Sequence, residues 1–315
     1  MKVLVLGGCG YIGAQLVPVL LSCGHKVDVL DNMWFGDGGL PKDNGALSVQ
    51  WGDAHPGNIV FEKYEAVIHL ACMTNNVMCE LNPYLDYAKN RLQFANVVSF
   101  AKMRGVKRFI YASSVAAYGS SNDFATEEWR LRPTTLYGAS KAYCEAKALA
   151  QQNDKFSVTI VRSASVVGTS MNMRFDTTMN KMTHEPLVIT VEGGQQWRSH
   201  VAMPDLCEFY KMVLALPSER TRGIFNVVGE NLMVGESASL VAEVTGAEIA
   251  YGGRTDQRSY KVSGEKAAEV LGFRPQYGLK RAVSDIHERL KAGYWKDSFG
   301  QNAHPKYQRM RYDLD

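Results

Sequence analysis

Four glycines within seven residues, placed directly after a short apolar run, constrain this chain more than any other feature. Val3–Leu6 has the continuous aliphatic character of a strand covered on both faces. Leu6-Gly7-Gly8-Cys9-Gly10-Tyr11-Ile12-Gly13 follows. Gln15–Ser22 then reads as helical, with Pro18 near enough to the start to be tolerated in the first turns. The loop satisfies both GxGxxG and GxxGxxG. Side chains here would block the turn or hold the backbone away from a pyrophosphate, and the helix N-terminus offers unpaired N–H groups to an anion. A glycine-rich turn without a ligand would share these letters. The strand–loop–helix order is the context that a dinucleotide cradle requires.

The next part of the chain repeats that alternation. Strands are predicted at Lys26–Leu30, Ser48–Trp51, Ala66–Leu70, Arg108–Ala112 and Val158–Val161, with helical segments at about 84–103 and 136–152. This spacing means parallel strands with right-handed crossovers. The expected fold class is α/β, a Rossmann-type doubly wound parallel sheet over residues 1–165. Residues 166–315 are expected to form a smaller C-terminal α/β substrate-binding part, with some segments free to return to the first. There, 168–200 reads as polar, Met-rich and irregular. A helix (Pro204–Leu216), a strand (Gly223–Val228), a helix (Gly235–Val244), a strand (Ala247–Tyr251) and two helix-like segments near 263–271 and 279–292 follow.

Composition narrows the function classes. The chain has 315 residues, 46% apolar, which is ample for a core. Net charge is +3. The only mild basic cluster is the tail with Lys306, Arg309 and Arg311, so no nucleic-acid partner is expected. No apolar stretch reaches about 18 residues, so no membrane span is expected. The N-terminal apolar run is shorter than a signal-peptide core. Six scattered cysteines without a CxxC pair point to free thiols in a reducing, cytoplasmic compartment. Cys72 and Cys79 with His69 match no zinc spacing, so no metal is expected. His69 reads as a packed core residue.

Asp31 ends the second strand, eighteen residues after Gly13. A carboxylate there accepts hydrogen bonds from ribose hydroxyls and repels a 2′-phosphate, which favours NAD over NADP; a loop cap is the alternative. Asp53 either bonds an adenine amino group or belongs to a Gly-Asp turn. Further on, Tyr137-Gly138-Ala139-Ser140-Lys141 opens a predicted helix. Positions i and i+4 share a face, so the Lys141 ammonium lowers the pKa of the Tyr137 phenol and makes it a general base. Ser114 lies at the carboxyl end of the fifth strand, where open parallel sheets bind ligands, and can bond the same substrate hydroxyl.

These residues, in this order, resemble the extended short-chain dehydrogenase/reductases that act on nucleotide sugars, the NAD-dependent epimerase/dehydratase family. Further anchors are Leu30-Asp31-Asn32, Val67-Ile68-His69-Leu70-Ala71, Phe109–Ser114 with Tyr118-Gly119, Gln196-Trp197-Arg198 and Leu271-Gly272-Phe273-Arg274-Pro275. The resemblance implies that Gly7, Gly10, Tyr11, Ile12, Gly13, Asp31, Asn32, Asp53, Ala54, Leu70, Ala71, Cys72 and Asn90 line NAD together with Tyr137 and Lys141. It implies Ser114, Tyr137 and Lys141 as the catalytic group, a nucleotide-sugar site in the later half, and a homodimer paired through the segments at 84–103 and 136–152.

One local pattern discriminates among members. Family dehydratases carry Asp-Glu after the catalytic hydroxyl residue, and decarboxylases carry Glu at the second following position. Here Val115 and Ala116 stand there and cannot transfer a proton, a pattern resembling the epimerases and some reductases. The expectation is a 4-epimerase; an NAD-dependent oxidoreductase or ketoreductase is the alternative, and a non-catalytic relative a further one. Thr74 stands where related epimerases carry a longer polar residue, and Ser163-Ala164-Ser165 replaces their aromatic/Asn-containing stretch after the sixth strand; Thr74 and Ser165 are candidate substrate contacts. Arg198 and Arg258 are the leading diphosphate candidates, their guanidinium forks suiting phosphate oxygens, unless they are surface arginines in solvated ion pairs. Arg174 and Arg254 are weaker ones.

Overall fold

The computed structural model describes residues 1–41, 44–74, 76–121, 123–184, 187–191, 193–252 and 258–295. The basic tail and Arg254 lie outside them. Strand β1 (Lys2–Leu6) runs straight into the glycine loop and α1 (Gly13–Ser22). It pairs in parallel with β2 (Lys26–Asp31) on one side and β4 (Ala66–His69) on the other, so that Leu6 lies opposite both Leu30 and His69. β3 (Leu47–Trp51) extends the β2 side, and β5 (Arg108–Ser114) extends the β4 side. Ser157–Ser163 and then Gly223–Val227 complete a seven-stranded parallel sheet. Chain order reverses between β1 and β4, and this opens a crevice beyond their carboxyl ends.

Alternating side chains of β1 divide the core. Val3 and Val5 belong to one layer with Leu16, Val17 and Leu20 of α1, while Leu4 and Leu6 belong to the other with Val67, Phe94, Phe109 and Tyr111. His69 packs in the second layer, 5.0 Å edge-on from Phe94. Burial pushes its imidazole down to about 3, so it stays neutral and takes no charge at working pH.

Several sequence expectations are corrected. Pro18 falls at the sixth residue of α1, inside the helix rather than in its first turns, on an exposed position. The expected helix at 84–103 divides into Pro83–Asp86, a π-helix at Tyr87–Gln93 and Phe94–Met103. Residues 168–200 contain a helix (Thr178–His184) and strands Val188–Val191 and Trp197–Ala202. The helix-like segment near 263–271 is helical from residue 265, with a π-turn over Ala267–Leu271. Elements this short cover barely two turns and leave no readable period. The strand at Gly223–Val227 lies in the first sheet, along the open edge of Ser157–Ser163. The remaining strands build smaller sheets, one from Ser165–Val167, Trp197–Ala202 and Glu230–Met233 and another from Val188–Val191 and Glu248–Tyr251.

A buried ion pair locks the Leu136–Leu149 helix to the sheet. Arg162 grips Glu145 through Nη2 at 2.6 Å and through Nε at 3.0 and 3.1 Å. Ser113 donates its hydroxyl to the same carboxylate. Both charged side chains are almost fully enclosed, at 3% and 2% exposure. Arg162 also donates to the Tyr118 hydroxyl at 2.8 Å. Removing one partner leaves a desolvated charge. Glu145→Ala is therefore expected to cost about 3–5 kcal/mol in chemical denaturation; a loss below about 1 kcal/mol would show that the pair contributes little.

Candidate active site

A cavity of about 600 Å³ opens at the β1/β4 crevice. The glycine loop contributes Gly7, Gly10, Tyr11, Ile12 and Gly13 to its wall, and the ends of β2 and β3 contribute Asp31, Asn32, Asp53 and Ala54. Leu70, Ala71, Cys72 and Thr74 follow β4, and Asn90 comes from the π-helix. Residues separated by more than eighty positions thus converge on one space.

The glycines divide by purpose. A Cβ on Gly7, whose φ is +80°, would stand 2.6 Å from the Ala71 nitrogen, and one on Gly13 would stand 2.5 Å from the Gly8 carbonyl oxygen. Both positions are closed by the protein's own backbone. At Gly10 the nearest atom is the Gly7 oxygen at 3.4 Å, an ordinary contact. Protein packing does not demand glycine there, and a ligand approaching the loop does. This is the cradle that a pyrophosphate fits.

Asp31 is held in place from both sides. Its Oδ2 accepts the Cys9 N–H at 2.9 Å and its Oδ1 accepts the Met33 N–H at 2.8 Å. Burial lifts its carboxyl above the usual range, and these two bonds oppose the lift. Asp53 accepts from Lys89 Nζ at 2.6 Å and from Asn32 Nδ2 at 3.3 Å. Asn90 grips the Met73 peptide on both sides, accepting its N–H at 2.8 Å and donating to its carbonyl at 3.1 Å, and also donates to buried Asp86 at 2.7 Å. The π-turn carries Asn90 to this clamp.

Tyr137, Lys141 and Ser114 meet beside the cavity. Thr135 caps their helix by accepting the Gly138 N–H at 3.1 Å. A Cβ on Gly138 would stand 2.6 Å from the Ala116 oxygen, so the missing side chain lets the helix close on the Val115–Tyr118 turn. Ser114 caps that turn by accepting the Ala116 N–H at 3.2 Å, and its hydroxyl is among the neighbours that favour the Tyr137 phenolate. Lys141 donates to the Ala112 carbonyl at 2.6 Å, and its Nζ lies 5.5 Å from the Tyr137 ring centre. Tyr137 packs with Trp34, Phe35, Met73 and Met78, which themselves line the cavity. The net shift of its phenol differs from the sequence expectation. Burial pushes the pKa up, and Lys141 is the strongest opposing influence, followed by Arg174 and the Ser114 hydroxyl.

Ser165, Arg198 and Arg258 are not among the residues that line the cavity, and neither are Ser114, Tyr137 and Lys141. Arg198 is buried and donates to the Trp197 carbonyl at 2.9 Å and to the Arg258 carbonyl. It ties two chain segments together, while the Arg258 residue itself is exposed. Several wall residues escaped the sequence reading: Trp34, Lys89, Gln93, Asn172, Phe175, Lys181 and His184. The last four lie in or beside a stretch whose letters carry no spacing signal. Among the described residues, no group of three or more His, Cys, Asp or Glu is placed to hold a metal ion. No described helix is long and apolar enough to cross a membrane.

Residues 3–228 match the NAD dependent epimerase/dehydratase family. The chain belongs to that family. Within it, the UDP-glucose 4-epimerase of Corynebacterium glutamicum is 27% identical over 90% of this chain and 94% of its own. MoeE5, solved in complex with UDP-glucuronic acid and NAD, superposes with a TM-score of 0.82 at 26% identity over 93% of this chain and all of its own. The Thermus thermophilus UDP-glucose 4-epimerase, solved with NAD, gives 0.78 at 25% identity over 92% and 99%. NAD is the cofactor of this family member, and the cradle at Gly10 fits it. Gly10→Ala is expected to leave the unfolding midpoint near wild type while weakening NAD binding at least about tenfold, whereas Gly13→Ala destabilises the fold. Calorimetry on both variants checks this; unchanged affinity in Gly10→Ala would remove the cradle from the loop.

Proposed function

We propose that the protein is an NAD-dependent nucleotide-sugar 4-epimerase. The reading is carried by Tyr137 with the Lys141 ammonium 5.5 Å from its ring centre and Ser114 close by, next to positions 115 and 116 that hold no carboxyl group. NAD, when bound, supplies a reversible two-electron acceptor. Tyr137, as phenolate, takes the proton of the sugar C4 hydroxyl, which Ser114 orients. The 4-keto sugar turns over in the pocket, and Tyr137 returns the proton as the opposite face is reduced. Val115 and Ala116 offer no acid for eliminating water. The relatives named UDP-glucose 4-epimerase support the reaction type.

In this reading Thr74, Ser114 and Ser165 contact the sugar, and Arg198 and Arg258 serve the diphosphate, from a substrate part within 166–315. The protein works as a homodimer, for which Tyr84, Tyr87, Leu92 and Met103 supply exposed apolar surface on the 83–103 segments. Six free thiols suit the cytoplasm.

Incubation with uridine, thymidine and guanosine diphosphate sugars is expected to give C4-inverted product with no net change at 340 nm. Stoichiometric cofactor turnover would instead identify an oxidoreductase. Tyr137→Phe should lower kcat by about 10²–10⁴-fold with NAD still bound. Lys141→Met removes the charge that favours the phenolate, so the ascending limb of the pH–rate profile should move up by about one unit or more. An unmoved limb would detach Lys141 from the proton transfer.

A further inference from the structure

The segment from Gly168 to His184 contributes to the wall of the same cavity as the glycine loop and is bonded to that loop. Asn172, Arg174, Phe175, Lys181 and His184 line the same space as Gly7, Gly10 and Tyr11. Three hydrogen bonds cross between the two sides. Asn172, only 5% exposed, donates from Nδ2 to the Cys9 carbonyl at 2.9 Å, in the middle of the glycine loop. The Tyr11 hydroxyl donates to the Gly168 carbonyl at 2.8 Å and accepts from Asn180 Nδ2 at 3.0 Å. The Cys9 carbonyl is crowded from a second direction by Gly38, where a Cβ would stand 2.6 Å away.

The segment is pinned from behind as well. Trp295, 3% exposed, donates its indole N–H to the Ser170 carbonyl at 3.0 Å and meets Phe175 edge-on at 5.7 Å. A dinucleotide lying on the glycine loop therefore sits beneath a segment bonded to that same loop.

We propose that Asn172, carried by the 168–184 segment and anchored through Trp295, is a cofactor-retaining residue that holds the segment shut over the glycine loop and sets how fast NAD dissociates. The proposal rests on NAD occupying this cavity and not on which reaction follows. It assigns the bond to release rather than to recognition, because Asn172 spends its amide on protein backbone.

The test uses the full chain loaded with radiolabelled NAD and chased with excess unlabelled NAD. Asn172→Ala and Trp295→Phe are each expected to release label about tenfold faster, the effect of one hydrogen bond of ordinary net strength, with association no slower than wild type. Asn231→Ala is the control. Its amide bonds Val262 and Ser199 inside the later half, so it loses comparable bonds and should release NAD at the wild-type rate. Wild-type release from both Asn172→Ala and Trp295→Phe overturns the proposal, as does a weaker affinity that comes wholly from slower association. Trp295→Phe keeps an aromatic ring against Phe175 and loses one donor, so it reads the proposal even if Asn172→Ala fails to fold. An unmodified chain that retains no NAD at all refutes the cavity as the cofactor site, and with it this proposal; that result is visible before any variant is made.

Discussion

The contact between Gly7 and the backbone after β4 is the constraint on which the site depends. Leu70 and Ala71 both donate their N–H groups to the Leu6 carbonyl, at 2.8 and 2.9 Å. That pair of hydrogen bonds draws the β4 end across the start of the glycine loop until no side chain fits at position 7. The two strands whose order reverses are thereby fixed at their carboxyl ends, and the crevice between them has a defined width. Asp31 then secures the far side by accepting from Cys9. With both edges of the loop fixed, the N-terminus of α1 faces one place, and the anion-binding character of a helix start becomes a site.

The reacting centre is built by a competition between burial and charge. A phenol enclosed among Trp34, Phe35, Met73 and Met78 resists ionisation, while Lys141, Arg174 and the Ser114 hydroxyl favour it. Burial raises the pKa of the phenol, and the positive charges of Lys141 and Arg174 oppose that rise. The Glu145–Arg162 pair matters here through geometry. Glu145 lies eight residues after Tyr137 on the same helix, so anchoring it to the sheet sets the height at which the phenol meets Ser114.

How much of this was readable from the letters depends on distance along the chain. The glycine loop, Asp31, Ser114 and the Tyr137–Lys141 spacing are local patterns, each legible because a few adjacent residues must satisfy one geometric demand. The central strands β1 and β4 were legible because residues buried on both faces are nearly all apolar. The π-turn at Tyr87–Gln93 was not, and its Asn90 bonds Met73, seventeen residues away. Asn172, Lys181 and His184 gave no signal because the fold, and no local period, brings them to the cavity. Arg198 reads as a phosphate ligand by residue type, and the bonds of its Nη1 to the Trp197 and Arg258 carbonyls were not legible in the letters.

The strand at Gly223–Val227 carries a consequence for biosynthesis. Its partner, Ser157–Ser163, leaves the ribosome some sixty residues earlier and must wait with one edge bare. During that interval the growing chain holds an unsatisfied ladder of N–H and C=O groups beside a nearly finished nucleotide fold, a state prone to pairing with neighbouring chains. The intervening residues, including those that cover the glycine loop, are threaded between two adjacent strands of one sheet. The stretch between Ser163 and Gly223 is thus an insertion within the main sheet, and a nascent chain cut before residue 223 would carry the whole glycine loop yet never seal its sheet.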